Sequence, residues 1–564
     1  MADELKTIQT VDLSPFKCMV MTIGELPSSF VESMTYYEAL AWLDNYLEKT
    51  LIPAVNNNAE AVKELQDLYI ELHDYVENYF DNLNVQEEIN NKLDEMADDG
   101  TLEEIIGDYL NATAIWGFDT VADMKAATNL INGSFAKTLG FYAKNDGGAA
   151  TYKIRNITND DVVDEVTIIE IGDSANQLIA ELILEPVMNI KQFGVTTSST
   201  TNTKFQIALT KCEGRKLIIP AGTYRVDTSM TLPDNIEIEC HGKITYSADL
   251  IYLFQHPDDT TYGTIVFDGI NIEKLDSSFN NLNRMIYVKG GTLRIVNSIF
   301  KNYATAIHAL FTNELYCDNN LFLDVYGTLA QYGYGIDTSS KRDCLTNNRF
   351  INTNNTNGRH AYYINGSTKE YAFVDGLYVE HWQHNPINLN INNTNPSKVD
   401  INNCTFKDVL ITSPGSSTTN RIGTIELADS CTNIELVVNN LVIDGTYRGA
   451  VACESSTSWA KINNVYCKVY TAGTATNWHG MYLRYNKYFI DNVHFEIPAD
   501  SNFNHAIIVR NCDAYVNNVS LSRTYDKKLV ENIDANLIIG FYANGSLEAT
   551  GTGTITAMST YSAA

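Results

Sequence analysis

Apolar and polar positions repeat through the second half of the chain in a six-residue figure: apolar, polar, Asn or Gly, two variable residues, apolar. The copies read FDGINI from Phe267, IVNSIF from Ile295, CDNNLF from Cys317, LTNNRF from Leu345 and VDGLYV from Val374. They continue as INNCTF from Ile401, VNNLVI from Val438, INNVYC from Ile462, IDNVHF from Ile490 and VNNVSL from Val516, with starts 22 to 37 residues apart. A sharp bend between two strands needs a positive φ, which Gly adopts freely and Asn tolerates best among the other residues. Asn side chains stacked at one corner can also hydrogen-bond to each other along the stacking axis. Short strands at this period, with no helices between them, predict a parallel β-helix. Leucine-rich and propeller repeats fit worse, because their signature residues are missing.

A second figure lies 10 to 15 residues upstream of the bends: Tyr334-Gly335-Ile336-Asp337, His360-Ala361-Tyr362-Tyr363, His479-Gly480-Met481-Tyr482 and His505-Ala506-Ile507-Ile508. Alternation along a strand turns Ile336, Tyr362, Met481 and Ile507 inward and Asp337, Tyr363, Tyr482 and Ile508 outward. With coils stacked at roughly 4.8 Å, the outward residues form a column suited to a long, repetitive ligand.

The first half reads differently. Ser29-Phe30-Val31-Glu32 has the form of a capping box, and Phe30, Met34, Tyr37, Leu40, Leu47 and Leu51 recur near helical period, giving a helical segment over 1–52. From Val55 through Asn58, Val62, Leu65, Tyr69, Leu72, Val76, Tyr79 and Leu83 the spacing alternates three and four. This is the heptad seam of a coiled-coil stalk over 53–109, with three strands fitting at least as well as two. A small α+β connector is expected over 110–185, with a helix capped by Thr120 and a turn at Asn145-Asp146-Gly147-Gly148. The β-helix body then covers 186–527, and a Thr- and Gly-rich β cap, 528–564, completes a shared tip.

Composition narrows the partners. With 69 acidic against 39 basic residues, a net charge of -30 and no basic stripe, the chain repels phosphate backbones, so no nucleic acid is expected. No stretch reaches the roughly 18 apolar residues of a membrane helix, so no membrane insertion is expected, and the first ten residues lack the pattern of a secretory signal. The ten cysteines are scattered without a CxxC pair, which reads as free buried thiols. No metal and no cofactor is expected.

Phe193-Gly194-Val195, IPAGTYRV (Ile219 to Val226) and LPDNIEI (Leu232 to Ile238) resemble the opening of the pectate-lyase-like β-helices of bacteriophage tailspikes, and the likeness extends over about 190 to 527. The acidic turn that usually follows is replaced by Thr196, Thr197, Ser198 and Ser199. Leu26 to Val55 is similar to the virion-attachment segments of tail fibre proteins. The resemblance implies a mainly β protein: a right-handed parallel β-helix behind a helical, coiled-coil amino-terminal region, assembled as a homotrimer. It implies a virion tail component made in the bacterial host cytoplasm and joined to other phage tail proteins through its amino-terminal region. Such proteins bind host cell-surface polysaccharide, and some depolymerise it; a purely structural tail role is the third possibility.

Cleavage of a glycan needs one protonated and one ionised carboxyl across a sugar. Glu426 and Glu454 fall on adjacent coils with an offset of two residues, roughly 8 Å apart, which suits inverting hydrolysis. A slip of one residue near Gly449 would turn Glu454 inward. Asp337 is a further candidate about three coils away. Arg484 and Arg510 project beside the column, where they can hold an anionic sugar or phosphate. Tyr363, Trp382 and Tyr482, with Trp459 and Trp478, either stack on sugar rings or pack in the core. His360, His479 and His505 share one place in their strands, as a general base or in a structural turn. The cluster around His381 and His384 offers metal ligands, although no metal is favoured.

Overall fold

The computed structural model describes residues 115–172, 177–198, 202–256, 263–275, 283–326, 333–353, 358–410, 423–446, 449–470, 478–498 and 503–522, with shorter pieces elsewhere. The chain divides into two units, Met1–Tyr109 and Leu110–Ala564. In the first, residues 66–74 are helical and carry Leu68, Ile70 and Leu72 about half exposed; the rest of the heptad run lies almost wholly outside the described residues. Ser33–Thr35, expected within a helix, instead pairs antiparallel with Thr10–Asp12. The local run Val31 to Tyr37 is rich in β-branched and aromatic residues, which favour extended backbone once a partner strand is present.

The second unit opens with a five-stranded sheet of Ile115–Phe118, Phe135–Thr138, Thr151–Asn156, Leu178–Leu182 and Ile168–Ile171. Its one short helix, Val121–Lys125, starts at Thr120, whose hydroxyl accepts from the Asp123 amide while the Asp123 carboxylate accepts from the Thr120 amide. The expected turn is built by Asp146, which accepts from the amides of Phe141, Tyr142, Ala143 and Gly148, with Asn145 and Gly147 at positive φ.

From Val187 onward the chain winds. Each coil contributes three parallel strands, and every strand pairs with its counterpart one coil on, so three sheets run along the axis. In sheet 1 the first residues of all ten repeats stand in one file: Phe267, Ile295, Cys317, Leu345, Val374, Ile401, Val438, Ile462, Ile490 and Val516. All are at most 2% exposed. The sixth residues form a second inner file in sheet 2, where Phe300, Phe322 and Phe350 stack at 5.1 and 4.2 Å. The corner between these sheets is the third place of the repeat, and its φ lies between 49° and 70° in all ten copies. Along the outside of that corner the amides of Asn440, Asn464, Asn492 and Asn518 each donate to the Asn one coil earlier, at 2.6 to 2.9 Å.

Sheet 3 pairs Tyr252–His256, Arg284–Lys289, Thr305–Leu310, Tyr334–Thr338 and the later third strands of each coil. The winding does not give way to a separate cap at 528. Lys528–Ile533, Asn536–Ile539, Ser546–Thr550 and Thr554–Ala557 all pair in parallel onto preceding coils. Thr, Ile and Val in these strands satisfy the ladder with backbone bonds whatever their side chains, which is why a Thr- and Gly-rich composition does not end the stack. The nine described cysteines are all free, and eight are buried.

The corner argument has a direct test. Asn464→Ala keeps a Cβ at φ 54° without the polar side chain that makes this conformation tolerable, and removes two amide bonds, so it should lower unfolding free energy by about 1–3 kcal/mol. Asn464→Gly loses only the amide bonds and should cost less, as read from denaturant midpoints. Equal costs would show that backbone conformation is not what the Asn supplies.

Candidate glycan-binding face

The third strands carry one continuous outer column. Tyr287, His308, Asp337, Tyr363, Asn388, Glu426, Ala452, Tyr482 and Ile508 succeed one another in register. Two residues before the column Ala306, Gly335, Ala361, Ala450, Gly480 and Ala506 are small, whereas Met285, Pro386 and Thr424 stand at that place in the other strands. At Gly335 a Cβ would lie 2.1 Å from the Phe350 ring and 2.6 Å from the Ala361 carbonyl. At Gly480 it would lie 2.4 Å from Phe495. Small residues are therefore required for strand and core to approach there.

Glu426 sits mid-column, half-buried. Burial pushes its carboxyl up to about 7, the nearby Glu454 charge pushes in the same direction, and Arg359 and a hydrogen bond from Asn388 partly offset them. Asn385 Nδ2 also donates to Glu426 Oε2 at 2.7 Å. Because Glu426 pairs with Ala452, Glu454 follows on the next coil two residues further along, on the same side as Ala452. Glu454 is half-buried and lies one residue past the end of its strand at Cys453; continued alternation puts roughly 8 Å between the two backbone positions.

Asp337 is buried, at 7% exposure, and its carboxyl is also pushed up to about 7 by burial, against the pull of Arg284, an Asn365 hydrogen bond and Arg359. Asn365 Nδ2 donates to it at 2.7 Å. His308 lies beside it: Arg284 Nε donates to His308 Nδ1 at 2.8 Å, leaving Nε2 3.7 Å from the Asp337 carboxylate. Burial, then Arg284, lowers His308 to about 3, so the ring is neutral. Tyr363 is half-buried and stacks on Tyr334 at 4.9 Å and on His360 at 5.2 Å, and its hydroxyl accepts from Asn390 Nδ2.

Two aromatic expectations are corrected. Trp382 is fully buried at the far end of its sheet 2 strand, edge-on to Phe350 at 6.0 Å and in register with Val409. His381 takes φ 55° just before it, which inserts an extra residue on the outside and reverses the alternation. Tyr482 belongs to the outer column but is only 8% exposed, covered by ladder neighbours such as the His479 ring at 6.2 Å. Trp459 stands on sheet 1, away from the column, against Phe489; the Trp478 side chain lies outside the described residues. His360 is buried in a stack of rings with Nδ1 3.1 Å from the Asn385 carbonyl, and His479 and His505 adjoin at 5.6 Å, as a structural role requires. Glu380, His381 and Asp408 bring donor atoms within 4.8 Å of one another on sheet 2, but Lys407 and Tyr378 bind Glu380 and the Asn352 carbonyl lies 3.0 Å from His381 Nδ1.

Arg284, His308, Arg359, Asn385 and Asn388 join the face without having been singled out. A signal for one of them existed: Ala306-Ile307-His308 repeats the small–apolar–polar order of Ala361-Tyr362-Tyr363.

No family model and no curated protein matches the chain. Among solved structures it is similar to the tailspike protein gp49 of Acinetobacter baumannii bacteriophage Fri1, a capsular polysaccharide depolymerase. That likeness has 13% identity over 79% of this chain and 76% of that one, with a TM-score of 0.28. It is similar to the gp42 tailspike of Acinetobacter phage vb_AbaP_AS12, with 11% identity over 79% and 74% and a TM-score of 0.37. It is also similar to tailspike protein 3 of bacteriophage CBA120, with 13% identity over 72% and 59% and a TM-score of 0.33.

The folded chain keeps the Glu426 proton to about 7, against an ordinary 4.5 in the unfolded chain. Stability therefore falls as pH rises through that interval and stays reduced above it. Glu426→Gln removes the penalty. The variant should match wild type near pH 4 and melt at higher temperature at pH 8, by at most about 3 kcal/mol. A pH-independent difference would contradict the raised carboxyl.

Proposed function

We propose that this chain is a phage tail receptor-binding protein that attaches the virion to host cell-surface polysaccharide along the outer column of sheet 3. The supporting observation is the column itself: polar, aromatic and carboxyl side chains repeated at roughly 4.8 Å, close to the rise per sugar of an extended glycan. Tyr363 offers a ring edge and hydroxyl, and the half-buried Asn390 and Glu426 offer hydrogen-bonding partners for sugar hydroxyls. The amino-terminal region joins other tail proteins and the chain acts as a homotrimer, so that three shallow sites reinforce one another. Light scattering should then give a mass near three times 62.9 kDa; a monomer would remove the trimer from this reading.

A second reading is favoured by Glu426 and Glu454: the bound glycan is also hydrolysed. Glu426, raised to about 7, keeps its proton in a large share of molecules near neutral pH and acts as general acid toward the glycosidic oxygen. Glu454, nearer the open edge of the strand, acts as general base on a water attacking the opposite face of the sugar. The separation of roughly 8 Å leaves room for that water and implies inversion at the anomeric carbon. Asp337, roughly 14 Å from Glu426 across three coils, is too far to be the partner.

The test is prolonged incubation with purified host envelope polysaccharide, followed by size analysis and counting of reducing ends. Hydrolysis should decline as pH rises past about 7, and Glu426→Gln or Glu454→Gln should each lower it by about 100-fold or more. Binding without shortening would leave attachment alone. Absence of both would leave a structural tail part.

A further inference from the structure

We infer that the polysaccharide is acidic, and that Arg484 and Arg510 form a subsite for its carboxylate or phosphodiester groups; this rests on the glycan-docking reading of sheet 3. The two arginines pair directly on adjacent coils. Glu454 occupies the same row one coil earlier, one position past the paired Cys453 and Leu483. The row therefore runs carboxylate, guanidinium, guanidinium, in steps of roughly 4.8 Å. An anionic group held there lies about one sugar away from the carboxylate pair.

Two like charges stacked in register repel unless something neutralises them. In a chain with 69 acidic and 39 basic residues a carboxylate partner would be easy to supply. Arg155, Arg225 and Arg342 do have such partners. Arg484 and Arg510 have no carboxylate partner among the described residues, and the Nε atom of each is shielded from solvent with no acceptor there. Their positions are nonetheless built. The Arg484 guanidinium lies 4.3 Å from the centre of the Tyr485 ring, and Tyr488 donates its hydroxyl to the Arg484 carbonyl at 2.8 Å. Tyr485 itself sits at φ 63°, a conformation costly for a bulky residue, where the next coil uses Asn511 at φ 51°. The strain holds an aromatic plate against the cation, fixing it for an anion that presents two oxygens, such as a carboxylate or phosphodiester.

The experiment compares binding of polygalacturonate, a glycerol-phosphate polymer and dextran to the full chain at low salt. Wild type should bind at least one acidic polymer about tenfold or more above dextran. The combined Arg484→Gln and Arg510→Gln variant should lose that preference, and the corresponding Lys variant should keep part of it, with all three proteins melting alike. Which acidic polymer is preferred distinguishes carboxylate from phosphodiester recognition. Dextran bound as tightly as the acids, or acid binding unchanged in the Gln variant, would overturn the subsite while leaving glycan docking in place. Failure of wild type to bind any of the three, together with failure on host polysaccharide, would remove both.

Discussion

Everything positional in this molecule follows from a backbone corner held at a φ near +55° once per coil. A residue there turns the chain between sheets 1 and 2 without ending the hydrogen-bonded ladder, so each coil lies flat on the last. Asn serves because it accepts that conformation and because its amide bonds to the same amide above and below. Once the corners align, the register of every strand is set. Which side chain lies above which then stops being a matter of sequence distance.

The electrostatics of the outer face follow from that stacking more than from any pocket. Side chains in register shield one another from water, and shielding disfavours charge. Asp337 and Glu426 both move up to about 7, while the His308 ring moves down to about 3. Arg359, which bears electrostatically on both carboxyls, limits the upward movement without abolishing it. A flat sheet can thus raise a carboxyl by stacking alone, an effect usually associated with a deep cleft.

The corners were legible in the sequence because they demand a residue type. The inner files were legible because they demand apolar residues at fixed offsets from the corner. The outer column was legible only where its strands shared a Tyr- or His–small–apolar start, so Asp337, Tyr363 and Tyr482 could be read. Glu426 and Glu454 came from strand alternation, and the register that pairs Glu426 with Ala452 puts Glu454 one residue past the end of its strand on the next coil. Trp382 was misplaced because one left-handed residue, His381, reverses the alternation, and His is not a residue type that announces a bulge. Arg359 and Asn385 escaped because they lie just outside the strand interiors, where stretches of variable length make the coil-to-coil alignment uncountable from sequence. The continuation of the winding past 527 escaped for the opposite reason: backbone pairing there asks for no particular residue.

The stacked Phe300, Phe322 and Phe350 rings also bear on how the molecule assembles itself. Along the axis each ring stacks on its counterparts one turn before and after, so cohesion is passed from neighbour to neighbour along one dimension. Ordering can therefore begin at any well-formed turn and spread both ways, with no long chain closure awaiting the end of synthesis. The same arrangement means that a single faulty turn interrupts the transmission, leaving two shorter cylinders that melt independently where one had melted as a whole.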